Sequence, residues 1–204
     1  MAVDLTDIEK MEIKDVGTNQ METLENVWKD KTCVIIFFRR WGCLYCRLWA
    51  KEVSQIANIL SNNNIRLIGV GPEQLGVEEF KEGKFFDGEL FVDVDKKVYS
   101  KIGFKRYNYL SILWYIMGRV GRSAYNRGKA ANIPWNLQGD GLQNGGCLIV
   151  EKGGRILHSY RQDGAADQLS NDKILEVLDL TAEIRPRLET DLDADSKSES
   201  SDRN

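Results

Sequence analysis

Apolar and polar positions follow two different periods along this chain. The run over residues 33–38 is apolar without a break and rich in β-branched and aromatic side chains, which predicts a strand buried on both faces. Over residues 43–60 the apolar positions recur every three or four residues, which predicts a helix with one buried face. The strongest signal is therefore a buried strand that leads directly into an amphipathic helix.

The rest of the chain continues the alternation of strands and helices. Strands are predicted over residues 65–70, 90–92, 147–150 and 155–160, and helices over residues 73–80, 96–102 and 170–180. Residues 8–13 indicate a short strand and residues 23–28 a helical turn. The order predicts an α/β protein with a thioredoxin-like fold, in which a central mixed β-sheet is flanked by helices and a Cys-x-x-Cys pair opens the first core helix.

One domain with a tail is expected. Residues 1–182 are predicted to form a single thioredoxin-like domain with an inserted helical segment over about residues 104–140. Residues 189–204 carry six acidic and two basic side chains and no aromatic ones. This composition predicts an acidic disordered tail.

Composition and charge narrow the function. The chain has 204 residues, 42% of them hydrophobic, and a formal net charge of −3, which argues against a dedicated nucleic-acid-binding protein. The N-terminus lacks the basic start and apolar run of a secretory signal, and the sequence has no segment as long and apolar as a transmembrane helix. Four cysteines are too few for a disulfide-stapled secreted scaffold. We therefore expect a cytosolic protein with reduced thiols.

Cys43 and Cys46 provide the candidate chemistry. Cys43 falls at the first turn of the predicted helix and Cys46 lies three residues further on, so both sulfurs share one helix face. Unpaired N–H groups and the partial positive charge of a helix start stabilise a thiolate. The nearby cations Arg39, Arg40 and Arg47 are further candidates for lowering a cysteine pKa. The pair predicts a redox-active dithiol.

Other interpretations of the pair stay open at this point. A zinc site needs two further ligands, yet Cys33 and Cys147 lie in apolar strand patterns and His158 is the sole histidine. A structural disulfide is rare in a reducing compartment, and the Cys-x-x-Cys spacing also occurs without any chemistry. We expect neither a metal nor a flavin at the site.

The middle of the chain is basic. Residues 96–139 contain nine lysines and arginines and no acidic residue, and residues 110–117 are almost entirely apolar. Such a segment could bind an amphipathic acid or make transient contact with an anionic membrane surface. The simpler interpretation is a helix that packs its apolar side on the sheet and exposes its basic side to solvent.

The chain carries the stretches FRRWGCLYCR at 38–47, RLIGVGPE at 66–73, GFKRYN at 103–108 and NLQGDGLQNGG at 136–146. Together they resemble the peroxiredoxin-like 2 family, with similarity from about residue 6 to residue 181. The resemblance implies a cytosolic thioredoxin-like enzyme that reduces the endoperoxide of prostaglandin H, or of its ethanolamide, to the F-type diol. It also implies NADPH as the ultimate electron donor and Cys43 and Cys46 as the functional residues.

Two features depart from related folds. Typical peroxiredoxins carry Pro-x-x-x-Thr-x-x-Cys, but here no proline lies near, and Cys43 stands at the threonine position if Cys46 attacks. Typical thioredoxins carry a proline before the strand that faces the dithiol, where this chain has Gly145 and Gly146. The attacking cysteine stays open, with Cys43 favoured because it is closer to the helix terminus.

Substrate binding is predicted at two places. The apolar pair Leu44 and Tyr45 lies between the cysteines, and the missing proline at Gly145 and Gly146 is hypothesised to leave room for a bulky lipid.

The loop after residue 70 lacks the Gly-x-Gly-x-x-Gly dinucleotide fingerprint, so thioredoxin is as plausible an electron donor as NADPH bound directly. Two other hypotheses remain: a general thiol peroxidase, and a non-enzymatic thioredoxin-like binding protein.

Overall fold

The computed structural model describes residues 4–108 and 114–183. The strands within them are β1 (Glu12–Asp15), β2 (Met21–Thr23), β3 (Thr32–Phe37), β4 (Ile65–Gly71), β5 (Glu89–Val92), β6 (Gly146–Glu151) and β7 (Arg155–Arg161). In this part of the chain they form one sheet in the order β2-β1-β5-β4-β3-β6-β7. β3, β4 and β5 run parallel, whereas the hairpin of β6 and β7 is antiparallel beside β3. The predicted central mixed sheet is confirmed.

Helices connect the strands. Their bounds are α1 (Leu24–Lys29), α2 (Leu44–Ser54), α3 (Ala57–Asn62), α4 (Val77–Glu82), α5 (Lys97–Ile102) and α6 (Arg119–Ala130). A 3₁₀ turn at Leu5–Asp7 precedes β1. Residues 114–117 are also helical, so the predicted insertion contains helix on both sides of Gly118.

The chain divides after Leu169 into two compact units. The first contains the sheet and helices α1 to α6. The second contains α7 (Asn171–Val177) and a 3₁₀ turn at Thr181–Glu183. The Ser170 hydroxyl caps α7 by accepting a backbone N–H of the first turn, and the helix ends three residues before the predicted residue 180.

Part of the predicted chain organisation falls on residues outside those that the structure describes. The single domain over residues 1–182 stays a prediction. The acidic tail predicted over residues 189–204 lies outside the described residues, and so do residues 110–113 of the apolar stretch. Among the residues that the structure describes, no helix is both long enough and apolar enough to cross a membrane.

The prediction of a single helix over residues 43–60 is wrong. The segment forms two helices, α2 and α3, because the first ends at Ser54. The Ser54 hydroxyl donates to the carbonyl of Ala50 at 2.7 Å and accepts the backbone N–H of Asp87 at 2.9 Å. Such side-chain bonds compete with the helical ladder and bend a helix. α2 is therefore about three turns long, and its predicted apolar side remains buried.

The N-terminal edge of the sheet holds one more strand than predicted. β1 and β2 form an antiparallel hairpin that extends the sheet beyond β5. β2 has three residues of which one is apolar, so it carries no periodic signal. α4 begins at Val77 rather than at residue 73, because Gly76 adopts the left-handed conformation (φ 88°) at its N-cap.

Aromatic packing fixes the chain where β3 ends. The ring centroid of Phe38 lies 5.8 Å from that of Trp41 and 5.4 Å from that of Phe80. The buried Tyr99 hydroxyl lies 2.7 Å from the carbonyl oxygens of both Phe38 and Val70 and donates to them. These contacts hold the end of β3 in place and thereby position the residues that follow it.

Candidate active site

The dithiol lies where β3 leads into α2. Cys43 is the N-cap residue of α2, with an extended backbone (φ −73°, ψ 127°). Cys46 follows one turn later, within α2. All four cysteines are free thiols, and Cys43 and Cys46 are both buried. The predicted placement of the pair at the helix start is confirmed.

The two thiols ionise differently. A hydrogen bond from the Cys46 thiol lowers the pKa of Cys43 well below its usual value, helped by the charge of Arg39, the Cys46 N–H and the charge of Arg40, while burial opposes this shift. Burial raises the pKa of Cys46 well above its usual value, as do its hydrogen bond to Cys43 and the negative charge there. These shifts favour a thiolate at Cys43 beside a protonated thiol at Cys46.

Arg39 holds a positive charge against the thiolate. Its Nη1 lies 3.8 Å from the Cys43 sulfur, while its Nε and Nη2 donate to the carbonyls of Gln143 (3.3 Å) and Gly141 (2.8 Å). The residue is buried, so backbone acceptors fix the guanidinium fork beside the sulfur. This geometry supports the predicted role of Arg39.

We expect Arg39→Met to raise the pKa of Cys43, because the substitution removes the guanidinium that contacts its sulfur. A thiol is nucleophilic above its pKa, so alkylation of Cys43 by iodoacetamide should set in at higher pH. Near neutral pH it should be about tenfold slower, the size of one charge-assisted hydrogen bond. Mass spectrometry of the Cys43 peptide across a pH series measures this. Arg66→Met is the matched control, since Arg66 on β4 also binds a backbone carbonyl; identical profiles for Arg39→Met and wild type would contradict the assignment.

The predicted thiolate-stabilising role of Arg47 is not supported by its contacts. The buried guanidinium donates to the carbonyls of Trp41 (2.9 Å) and Pro134 (2.7 Å) and to the Glu79 carboxylate (2.8 Å). It also lies 4.7 Å from the centroid of the Phe85 ring. These contacts use all three nitrogens of the guanidinium and tie α2 to α4, which indicates a structural role for Arg47.

The three predicted arginines share one kind of contact. Each donates to a backbone carbonyl of residues 134–143, a segment that we call the cover loop. Arg39 binds two of these carbonyls, and Arg40 (3.1 Å) and Arg47 (2.7 Å) bind one each. A backbone N–H of the cover loop donates in turn to the carbonyl of Gly42 at 2.9 Å. The arginines beside the dithiol therefore also hold the cover loop against it.

Neighbouring backbone occupies the space beside Gly145 and Gly146, so their placement does not support the substrate site predicted there. A Cβ atom on Gly145 would overlap the carbonyl oxygen of Phe37, and one on Gly146 would overlap that of Tyr160. Gly146 begins β6 and is paired with both β3 and β7. The small size of the two glycines lets neighbouring backbones approach closely.

A cavity of about 290 Å³ opens beside Cys43. Its wall contains the side chains of Cys43, Arg39 and Arg40. Most of the remaining wall is apolar or aromatic, with contributions from Leu44, Tyr45, Ile116, Tyr125, Trp135 and Leu142. The predicted substrate-binding pair thus lies in the wall, and the cysteine that lines the cavity is Cys43 rather than Cys46. A substrate in the cavity would meet the Cys43 thiolate first.

Sequence reasoning missed most of this wall. Tyr125 lies on α6, and Trp135 and Leu142 lie in the cover loop, far from the dithiol along the chain. Ile116 belongs to the apolar stretch over residues 110–117, which was the one available signal. The wall forms only when the insertion folds back over α2, and periodicity does not predict that closure.

The other two cysteines are core residues. Cys33 lies in β3, its thiol donates to the carbonyl of Val27 at 3.1 Å, and burial raises its pKa to about 12. Burial also raises the pKa of Cys147 in β6. Across residues 4–108 and 114–183, no group of three or more His, Cys, Asp or Glu side chains is placed to hold a metal ion.

The site has a cysteine with a lowered pKa at the start of the helix that follows a central strand, and a second cysteine one turn later. This arrangement defines a thioredoxin-fold thiol oxidoreductase. Solved structures of this fold include peroxiredoxins. The chain matches peroxiredoxin Q of Xanthomonas campestris with a TM-score of 0.58 at 12% identity, over 89% of this chain and 96% of that one. It matches a peroxidoxin of Mycobacterium tuberculosis with a TM-score of 0.56 at 15% identity, over 85% and 92%. At these identities the likeness establishes the fold.

The family follows from sequence. The chain belongs to the AhpC/TSA antioxidant enzyme family, whose model matches residues 50–164. It is 41% identical over 183 residues to the Homo sapiens protein named prostamide/prostaglandin F synthase, covering 89% of this chain and 92% of that protein. It is 42% identical over 184 residues to the protein of that name from Aquarana catesbeiana, covering 89% and 91%. The family resemblance read from the sequence is confirmed, and the protein is a thiol-dependent oxidoreductase.

Proposed function

We propose that this protein reduces a lipid endoperoxide of the prostaglandin-H type, free or as its ethanolamide, to the F-type diol by cycling Cys43 and Cys46 between dithiol and disulfide. The observation that carries the proposal is the position of Cys43, whose pKa is lowered, in the wall of a largely apolar cavity. The names of the relatives supply the substrate class. The family match begins after Cys46, so the roles of the two cysteines rest on their geometry.

The pair accounts for each bond that changes. The Cys43 thiolate attacks one endoperoxide oxygen, an S–O bond forms, and the O–O bond breaks to release the other oxygen as an alkoxide. The Cys46 thiol protonates that alkoxide and becomes a thiolate. This thiolate attacks the Cys43 sulfur, so an S–S bond forms, the S–O bond breaks, and the second alkoxide takes a proton from water. The lipid has gained two electrons and the pair has become a disulfide.

Positive charge in the cavity wall stabilises the departing oxygen. The Arg39 guanidinium lies 3.8 Å from the Cys43 sulfur and is fixed by two backbone acceptors. It therefore needs no rearrangement when negative charge moves from sulfur to oxygen. Arg40 lines the same cavity, where the apolar surroundings screen charge weakly.

The rest of the wall suits a lipid. Leu44, Ile116 and Leu142 contribute aliphatic surface, and Tyr45 and Tyr125 contribute aromatic rings. The volume of about 290 Å³ is at the lower end for ligand sites. A long-chain lipid would place its peroxide ring in the cavity and leave its chains at the opening, whereas hydrogen peroxide needs none of this surface.

Electrons must return to the disulfide, and we propose NADPH in the cytosol as their ultimate source. The glycine-containing segment at the end of β4 does not fit this nucleotide. A Cβ on Gly71 would overlap the Trp41 ring, so this glycine accommodates an aromatic side chain rather than a phosphate. The first turn of α4 carries Glu78 and Glu79, which repel phosphate. A dithiol carrier of the thioredoxin type is therefore the proposed direct donor.

A general thiol peroxidase is the second candidate. The match to an antioxidant enzyme family and the fold shared with peroxiredoxins favour it. The same dithiol steps would reduce hydrogen peroxide to water. The two candidates differ only in what the cavity wall contributes to the rate.

The deciding experiment compares prostaglandin-H endoperoxide with hydrogen peroxide as substrates of the purified protein. Each substrate is tested with NADPH alone and with NADPH, thioredoxin and thioredoxin reductase. A variant with serine in place of both Cys43 and Cys46 is the blank. We expect F-type product only with the carrier system, and a higher kcat/KM for the endoperoxide. Equal or faster turnover of hydrogen peroxide would move the assignment to the second candidate. No turnover of either substrate would leave the binding-protein hypothesis.

Filling the cavity is expected to separate the two substrates. Leu142→Trp places a larger side chain in the wall, so kcat/KM for the endoperoxide should fall about tenfold or more while that for hydrogen peroxide changes less than about twofold. Steady-state kinetics with both substrates measure this. Leu75→Trp is the matched control, because Leu75 is exposed and lies outside the cavity wall. Parallel losses for both substrates in Leu142→Trp would show that the wall does not select the lipid.

A further inference from the structure

A helical turn immediately before α6 exposes apolar side chains to solvent. Trp114 is 78% exposed and Met117 62%, and Val120 at the start of α6 is 63% exposed. Tyr115 and Ile116 are also exposed, though less so. Tyr115 packs on the ring of Tyr107, and Ile116 lines the catalytic cavity. The side chains that project furthest into solvent can enter a fluid apolar phase, which needs no rigid complementary surface.

The cations beside this turn are exposed as well. The buried positions of α6 are glycine and alanine, whereas Arg119, Arg122 and Lys129 face solvent. No acidic residue occurs in the sequence of residues 96–139 to offset them. We call the apolar turn and the outward face of α6 together the docking surface. Its combination of exposed tryptophan, aliphatic side chains and arginine is typical of segments that lie at a membrane interface.

The docking surface borders the catalytic cavity. Ile116 lines that cavity, and Trp114 and Val120 line a neighbouring groove. The acidic residue at the edge of this groove, Asp167, accepts the backbone N–H of Asp163 at 2.8 Å, so its carboxylate is engaged within its own loop. Apolar surface therefore continues from the cavity wall to the exposed turn.

We propose that the docking surface binds an anionic lipid bilayer, with Trp114 and Met117 in the interfacial region and Arg119 and Arg122 against the headgroups. The side chains that would enter the bilayer need no conformational change to become exposed, and the basic face supplies attraction to negative lipids. The cavity would then open next to the phase in which a lipid substrate is dissolved. That use of the surface rests on the proposed function, whereas the binding itself does not.

Cosedimentation of the full chain with vesicles tests the proposal without any turnover. The vesicles contain phosphatidylcholine alone, or phosphatidylcholine with about one third phosphatidylserine. We expect binding to the anionic vesicles that falls at high salt, and much weaker binding to the neutral ones. A variant carrying Trp114→Ser and Met117→Ser should bind about tenfold less. A variant carrying Arg119→Gln and Arg122→Gln should also lose about tenfold, on anionic vesicles only.

The matched control carries Met21→Ser and Leu75→Ser, which remove exposed apolar side chains outside the docking surface and should leave vesicle binding unchanged. Thermal unfolding midpoints equal to wild type would show that all variants are folded. The proposal is overturned if anionic vesicles are not bound, if both vesicle types bind equally, or if the control loses as much binding as the Trp114 variant. A dimer in sedimentation velocity that the Trp114 variant dissociates would assign the surface to a second copy of the chain and would also overturn it.

Discussion

Turnover is expected to stop in Cys43→Ser, with kcat lower by at least about 10³-fold, whereas Cys46→Ser is expected to react once and then stall. A serine hydroxyl does not ionise near neutral pH, so loss of the Cys43 sulfur removes the nucleophile. Serine in place of Cys46 still offers an O–H donor to the Cys43 sulfur, which preserves the main cause of its low pKa. It cannot displace the substrate oxygen from Cys43, so the covalent intermediate accumulates.

Intact-protein mass spectrometry after mixing with one equivalent of endoperoxide checks this directly. Cys46→Ser should gain the mass of the substrate on Cys43, and an added small thiol should release the diol. Cys33→Ser is the matched control, since this thiol is buried in β3 with a pKa raised to about 12 and should be irrelevant to turnover. An adduct in Cys43→Ser, with none in Cys46→Ser, would reverse the assignment and make Cys46 the attacking residue.

Gly145→Ala is expected to lower the free energy of unfolding by about 3 kcal/mol, because its Cβ would overlap the carbonyl oxygen of Phe37 at the end of β3. The overlap is with backbone that aromatic packing and Tyr99 hold in place, so neither side can move cheaply. Chemical denaturation measures the loss, and the thermal midpoint should fall by about 10 °C for a chain of this size.

Gly17→Ala is the matched control for this effect. The nearest atom to a Cβ on Gly17 is the Asp15 carboxylate oxygen at 3.3 Å, so the contact needs a shift of only a few tenths of an ångström in a side chain. Its free energy of unfolding should change by less than about 0.5 kcal/mol. A Gly145→Ala protein as stable as the Gly17→Ala protein would mean that space does exist beside β6. The hypothesis of a ligand site at Gly145 would then be supported again.

The strand-to-helix junction could be predicted from sequence because its signals are local. The apolar run of β3, the helical period of α2 and the position of Cys43 between them all act within a few residues. The helix break after Ser54 could not be predicted, because it depends on a hydroxyl that also accepts the distant Asp87 N–H. Whether a serine side chain bonds to its own helix or elsewhere is decided by tertiary packing.

The wall of the site was less predictable than its nucleophile. Positive charge near the dithiol is visible in the sequence, but the difference between Arg39 and Arg47 depends on which carbonyl each side chain reaches, and backbone acceptors carry no sequence signal. The roles of Gly145 and Gly146 could not be predicted from the sequence for a similar reason. A small residue leaves room, and only the fold shows whether a ligand or a neighbouring strand fills it.

The contacts that hold the Cys43 thiolate exist only while the pair is reduced. Closing the disulfide removes the negative charge, yet Arg39 stays buried and tied to the carbonyls of Gly141 and Gln143, so it then faces a neutral sulfur. An environment that favours the dithiol over its disulfide raises the reduction potential of the couple. We therefore expect the couple to accept electrons from dithiol carriers of lower potential.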